Sequence, residues 1–245
     1  MPRSVITLAL QLALTLPLAG QGERAATDRV PPRYRVTWWD APSVVTAGAL
    51  ALVPVAAGLP TGRSPCAPCD PSTLFALDRV ALHTFSGAAN TASNVLLVGV
   101  TGLSGLASLE GASAAQVRGH VVVFANSLAW SLATTEWLKV LFHRGRPVLY
   151  VTGDTAAASD VENRRSFPSG HAALAFAAAT TYFAIARREH LPHRTRNAIV
   201  LFGGAVAVSA LRVAGGKHFP TDVAAGAALG AGIGWLAARL HPATP

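Results

Sequence analysis

The chain has 245 residues, of which 51% are hydrophobic and only 13% charged, with a formal net charge of +8. A soluble globular domain carries about 25% charged residues. This composition, with a mean hydropathy of +0.39, therefore argues against an ordinary soluble domain and for membrane helices. The basic residues lie between apolar runs, without a basic helix, finger spacing or RNA-binding strand. That excludes a nucleic-acid module and assigns the charge to topology, anionic head groups and an anionic substrate.

Residues 1–20 have a basic start at Arg3, a short apolar centre and a small-residue end, the pattern of a secretory signal or an uncleaved anchor. Tyr34, Trp38 and Trp39 follow a polar stretch and border the next apolar run, as interfacial aromatics do. Residues 41–59 are the first expected span. Residues 60–94 are polar and contain the chain's two cysteines in Cys66-Ala67-Pro68-Cys69. These fit a local disulfide in an oxidising compartment, free thiols, or part of a metal site. Within this segment, residues 74–85 predict a short amphipathic helix on the membrane or capping the bundle. Leu77, Val80, Ala81 and Thr84 oppose Asp78 and Arg79.

Further spans are expected over residues 95–109, 120–142, 171–186, 198–211 and 221–240. Thr221 or Asp222 can cap the last one, and Gly226 and Gly230 are spaced for close approach of a neighbouring helix. The expected fold is all-α, a six-span transmembrane helical bundle. Six spans place residues 60–94, 143–168 and 215–220 on one side. The basic turn at residues 187–196 places the other side in the cytoplasm. A signal or anchor at residues 1–20 inverts this arrangement, and the basic turn is the stronger of the two signals.

Three stretches carry chemistry. Lys139 precedes Arg146-Pro147 at the end of one apolar run and can hold phosphoryl oxygens with Arg146. Ser166-Phe167-Pro168-Ser169-Gly170-His171 opens another run, where free backbone N–H groups and the helix dipole favour an anion. The Ser169 hydroxyl and Gly170 N–H can donate to phosphate, and His171 can protonate a departing alkoxide. Arg212, His218 and Asp222 form the third set. Asp222 is expected to hold one imidazole nitrogen protonated, leaving the other free to attack phosphorus, or simply to cap the last helix. Glu136, His143, Arg144 and Arg165 are near enough in sequence to support the site from behind, but the favoured expectation is that they mark the membrane boundary.

Together these stretches resemble the type 2 phosphatidic acid phosphatase (PAP2) superfamily, which includes lipid phosphatases, bacterial acid phosphatases and vanadium haloperoxidases. The matching motifs are Lys139-Val140-Leu141-Phe142-His143-Arg144-Gly145-Arg146-Pro147, then Pro168-Ser169-Gly170-His171, then Arg212, His218 and Asp222. Leu211 stands where the third motif begins with serine, and the nearby serine is Ser209. The resemblance implies a PAP2/haloperoxidase-type helical bundle over residues 42–240. It implies His218 as nucleophile, Asp222 as its orienter and His171 as proton donor. Lys139, Arg146, Arg212, Ser169 and Gly170 would bind the transferred phosphoryl group, with no metal or cofactor required. The implied substrate is a lipid phosphate such as phosphatidic acid, phosphatidylglycerol phosphate, undecaprenyl diphosphate or lipid A phosphate. It would be hydrolysed in a bacterial-type cytoplasmic membrane, with the site facing the periplasm or exterior. Competing expectations are an acid phosphatase on soluble esters, a non-catalytic transporter or scaffold, and a vanadium-dependent haloperoxidase.

Overall fold

Helix starts in this chain follow local chemistry. Ser86, Ser113 and Ser169 each stand just before a helix, and each side chain accepts a backbone N–H from the first turn. Pro220 opens the last helix, where its missing N–H costs nothing, and the Asp222 carboxylate accepts the Phe219 N–H at 2.9 Å. In a computed structural model, residues 34–241 are described. The signal-like segment expected at residues 1–20 lies outside them. The described residues form long helices and no β-strand. The helices are α1 (Asp40–Ala56), α2 (Gly87–Ser108), α3 (Ala114–Phe142), α4 (Gly170–Arg188), α5 (Arg194–Ala214) and α6 (Pro220–Leu240).

Helix α4 is the centre of the bundle and packs against α2, α3, α5 and α6, while α1 lies on α3. Its inner positions are small: Ala172, Ala173, Ala175, Ala177, Ala178 and Ala179 are fully buried. Facing them on α6 is the row Gly226, Gly230 and Gly234. A Cβ at Gly230 would overlap the Ala173 carbonyl oxygen, and one at Gly234 would lie 2.7 Å from the Ala177 oxygen. The glycine spacing in α6 therefore serves contact with α4, the helix that begins at Gly170.

The six-span expectation does not hold. Among the described residues, three helices are long and apolar enough to cross a membrane: α2, α5 and α6. Helix α1 is apolar but has 17 residues. Helix α3 carries Arg118, His120, Glu136 and Lys139 along its length. The apolar run of α4 is buried against other helices. An apolar run reports that a segment is buried, and protein neighbours bury it as well as lipid does.

One end of the bundle collects the three motif stretches and the loops that pack on them. Arg164 donates to the Pro60 and Thr61 carbonyls at 2.7 and 2.8 Å. The Cys69 N–H reaches the Leu149 carbonyl at 2.7 Å, and the Ser86 N–H reaches that of Ala214 at 3.0 Å. Cys66 and Cys69 are joined by a disulfide with a Cα–Cα distance of 4.8 Å. The amphipathic helix expected at residues 74–85 is instead a 3-10 turn, Asp78–His83, and its polarity is inverted. Asp78 is wholly buried, whereas Leu77 and Val80 are 63% and 55% exposed. The reason is the half-buried Arg144, whose guanidinium draws the Asp78 carboxylate inward. Trp38 and Trp39 are exposed and stacked on each other, but Tyr34 is buried.

The α4–α6 contact predicts a sharp positional difference. Gly230→Ala is expected to destabilise the protein by about 1–3 kcal/mol through overpacking. Gly232→Ala, where an added Cβ meets nothing within 4 Å, is expected to stay within about 0.5 kcal/mol. Thermal unfolding in detergent separates the two, and equal melting temperatures would contradict the packing assignment.

Candidate active site

The loops at that end enclose a cavity of about 320 Å³. Lys139 and Arg146 reach it from the end of α3 and the loop beyond. Gly170 and His171 come from the start of α4, and Arg212 and His218 from the end of α5 and the following turn. Three stretches far apart in sequence thus share one wall. Ser169 and Asp222 lie behind that wall. Both are fully buried, and the Ser169 N–H is bound to the Asp222 carbonyl at 3.0 Å. The Ser169 hydroxyl accepts the Ala172 N–H at 3.5 Å. A larger cavity, about 640 Å³, lies between α1, α3 and α6 toward the other end of the bundle. It contains the His241–Asp40 contact (2.8 Å) in place of a cation cluster.

His218 sits in the turn between α5 and α6. Gly216 has φ +62°, and a Cβ there would strike Phe85 and the Thr84 carbonyl, so the turn needs glycine. The ring is 2% exposed, and its Nδ1 lies 2.7 Å from the Ser166 carbonyl oxygen. A carbonyl oxygen only accepts, so Nδ1 carries the proton and Nε2 keeps its lone pair. The direct partner is thus a main-chain carbonyl. Asp222 stands farther away, with Oδ2 at 3.7 Å from Nδ1. It accepts the Ser166 hydroxyl at 2.6 Å and the Phe219 N–H at 2.9 Å, and so clamps the residues on either side of the imidazole. Burial, followed by the charges of Arg146, Arg212 and Lys139, holds the His218 pKa well below the ordinary histidine value. The ring is neutral at pH 7.

The cations are individually supported. Lys139 donates to Glu136 at 2.5 Å, and the other Glu136 oxygen accepts from buried Arg165. Arg146 pairs with Glu162 at 3.0 Å. Arg212 donates to Asn90 at 2.7 Å and to Ser93 at 3.3 Å, both on α2. The Nε atoms of Arg146 and Arg212 are buried without a hydrogen-bond partner. Gly170 matters sterically, because a Cβ there would lie 3.4 Å from the Lys139 Nζ. His171 Nε2 donates to Asn94 Oδ1 at 2.7 Å. Ser209, near the position of the substituted motif serine, bonds the Ala205 carbonyl on its own helix. Among the described residues, no group of three or more His, Cys, Asp or Glu is placed to hold a metal ion.

Several site residues carry no sequence signal of their own. Asn90, Asn94, Glu162 and Lys217 also line the cavity. Of the four residues weighed between the membrane boundary and a place behind the site, Glu136, Arg144 and Arg165 stand behind it, against the favoured expectation, while His143 is exposed. Arg144 is the junction. It bonds Asp222 at 2.5 Å, Thr221 at 2.7 Å and Asp78 at 2.7 Å, with its guanidinium 4.5 Å from the centre of the Phe219 ring. Asp78 in turn accepts the Thr221 N–H at 3.0 Å and its hydroxyl at 2.7 Å. The one clue available from sequence was the density of charged residues beside apolar runs.

A family model described as the PAP2 superfamily matches residues 120–244, a little more than half of the chain, and includes all three motif stretches. The chain belongs to the PAP2 superfamily. No curated protein and no solved structure matches it. In this PAP2 chain, Asn90, Asn94 and Asp78 precede the matched region, so α2 and the segment before it complete a cavity whose motif residues all lie in the matched part.

Arg144 separates two buried carboxylates, and removing one partner of a buried ion pair costs about 3–5 kcal/mol. Arg144→Met is expected to lower the melting temperature in detergent accordingly. Adding Asp78→Asn, which removes one of the two stranded charges, is expected to recover part of the loss. A single variant as stable as the parent would show that Arg144 does not support the site.

Proposed function

We propose that this PAP2 protein is a membrane phosphatase that hydrolyses a lipid phosphomonoester or diphosphate through a phosphohistidine intermediate. The observation that carries the reading is His218. Its Nδ1–H is committed to the Ser166 carbonyl, and it lies in a cavity walled by Lys139, Arg146 and Arg212. Nε2 attacks phosphorus. The three cations and the Gly170 N–H, at the positive end of α4, offset charge on the equatorial oxygens. The Asp222 clamp keeps the ring aligned as it gains positive charge. His171 protonates the leaving oxygen and then assists the water that cleaves the N–P bond. A bound phosphoryl dianion offsets the surrounding cations and favours protonated His171.

The lipid assignment is supported by α2, α5 and α6, the three helices apolar and long enough to cross a membrane. Two of them supply the cavity's Asn90, Asn94 and Arg212, so the anion site lies at the ends of membrane helices. The non-cytoplasmic side is the reading for this end of the bundle. The disulfide lies there, and the basic turn at residues 187–196 lies at the opposite end.

His218→Ala is expected to reduce phosphate release from lipid phosphates by roughly 10³-fold or more while membrane insertion is kept. Ordinary turnover by this variant would overturn the nucleophile assignment. The unaltered protein provides a second check. A histidine held neutral by burial and neighbouring cations protonates only well below the ordinary value near 6.5. The acid limb of kcat/KM, which reports the free enzyme, is therefore expected to lie below that pH. An acid limb centred at or above it would contradict the assignment.

A further inference from the structure

The three motif stretches account for three cations in the cavity and leave out a fourth. Lys217 lines the same wall, one residue before His218, and is half-buried. Its N–H is held by the Arg212 carbonyl at 3.1 Å, so its backbone is set by the same turn that positions the histidine. The other lysine and Arg146 each have a carboxylate, Glu136 and Glu162 respectively. Among the described residues no carboxylate forms a direct ion pair with the Lys217 ammonium, and Asp160 and Glu162 act on it only from farther off. Arg146 and Arg212 repel the ammonium, Asp160 and Glu162 offset this only in part, Glu162 being already paired with Arg146, and a bound anion relieves the rest.

We propose that Lys217 binds a second phosphoryl group, joined through the bridging oxygen to the one His218 attacks, and that the preferred substrate is a lipid diphosphate. The inference rests on the phosphatase reading above and narrows it. Charge supports it first. Four cations line the cavity and face one carboxylate, Glu162, while Glu136 behind the wall is shared between Lys139 and Arg165. The excess of three positive charges matches a fully ionised terminal diphosphate, whereas a phosphomonoester brings two negative charges. Size supports it second. About 320 Å³ is roughly ten times the volume of a water molecule in the liquid, more room than one phosphorus and its four oxygens fill.

The reaction balances without a further reagent. His218 Nε2 forms a bond to the terminal phosphorus, and the bond from that phosphorus to the bridging oxygen breaks. The bridging oxygen keeps the electron pair and leaves as the lipid monophosphate, which Lys217 neutralises. Water then adds its oxygen to the phosphoryl group, the N–P bond breaks back to the imidazole, and inorganic phosphate is released. The product still carries one phosphate, so a separate monoester phosphatase must act to give the free lipid alcohol.

The test measures phosphate release from a prenyl diphosphate and a prenyl monophosphate with the same hydrocarbon chain, using the full-length protein in detergent. The readout is the ratio of the two kcat/KM values for the parent, Lys217→Gln and Lys217→Arg. The parent is expected to favour the diphosphate, and Lys217→Gln to lower the ratio about 10–100-fold, the loss of one charge-assisted contact. Lys217→Arg, which keeps the charge, is expected to restore most of it. A parent that favours the monophosphate, or a ratio that Lys217→Gln leaves unchanged, overturns this inference and leaves the phosphatase reading standing. No phosphate release from either lipid by the parent overturns both.

Discussion

The structure depends on holding like charges together in a place with little water. Lys139, Arg146 and Arg212 line one small cavity, and two unit charges about 4 Å apart interact by about 4 kcal/mol at an effective dielectric near 20. That repulsion would open the site unless each cation had its own support. Glu136 and Glu162 supply full negative charges, and Asn90 and Ser93 supply dipoles. Much of the architecture at this end of the bundle can be understood as placing these supports. Helix α2 brings the side chains for Arg212, the turn at Val161–Arg164 brings Glu162, and α3 carries Glu136 one helical turn from Lys139.

A second charge system lies beneath the first and serves alignment. Arg144 holds Asp222 and Asp78 apart, Asp222 grips Ser166 and Phe219, and the Ser166 carbonyl fixes the tautomer of His218. The imidazole is therefore oriented by main chain that a carboxylate holds in place, one step removed from direct carboxylate contact. A neutral acceptor at Nδ1 stabilises the protonated ring less than a carboxylate would. This agrees with a histidine whose pKa burial and three cations hold well below the ordinary value. The segment bearing the disulfide joins the network through Asp78, so a part of the chain outside the motif stretches helps set the geometry around His218.

Packing connects these systems. Helix α4 begins at Gly170 and α6 begins just after His218, and the two run against each other along rows of glycine and alanine. Small side chains bring the backbones close enough for the Ser169 N–H to bond the Asp222 carbonyl. The same row that makes α6 apolar enough to cross a membrane also sets the distance between the start of α4 and the turn that carries His218.

Much of this was legible in the sequence, and the failures have physical causes. The helical class, the three motif stretches and the close-packing glycines follow from patterns that local chemistry dictates: apolar period, cap residues, and polar groups at helix ends. The number of membrane-crossing helices did not follow, because the apolar run of α4 is covered by protein and α3 is broken by charge. Asp78 was misread as an outward-facing residue, because its partner Arg144 is 66 positions away. For Arg144, Glu136 and Arg165 the sequence leaves a boundary role and a place behind the site both open, for the same reason: a lone ion next to an apolar run has one appearance whether it faces head groups or a buried counter-ion. The sequence by itself determined which groups are available for chemistry and that they sit at helix ends. The tertiary structure alone decided which charges neutralise one another, that a carbonyl holds His218, and that Lys217 lines the cavity without a direct ion pair, because ion pairing depends on distances between segments that the order of residues does not contain.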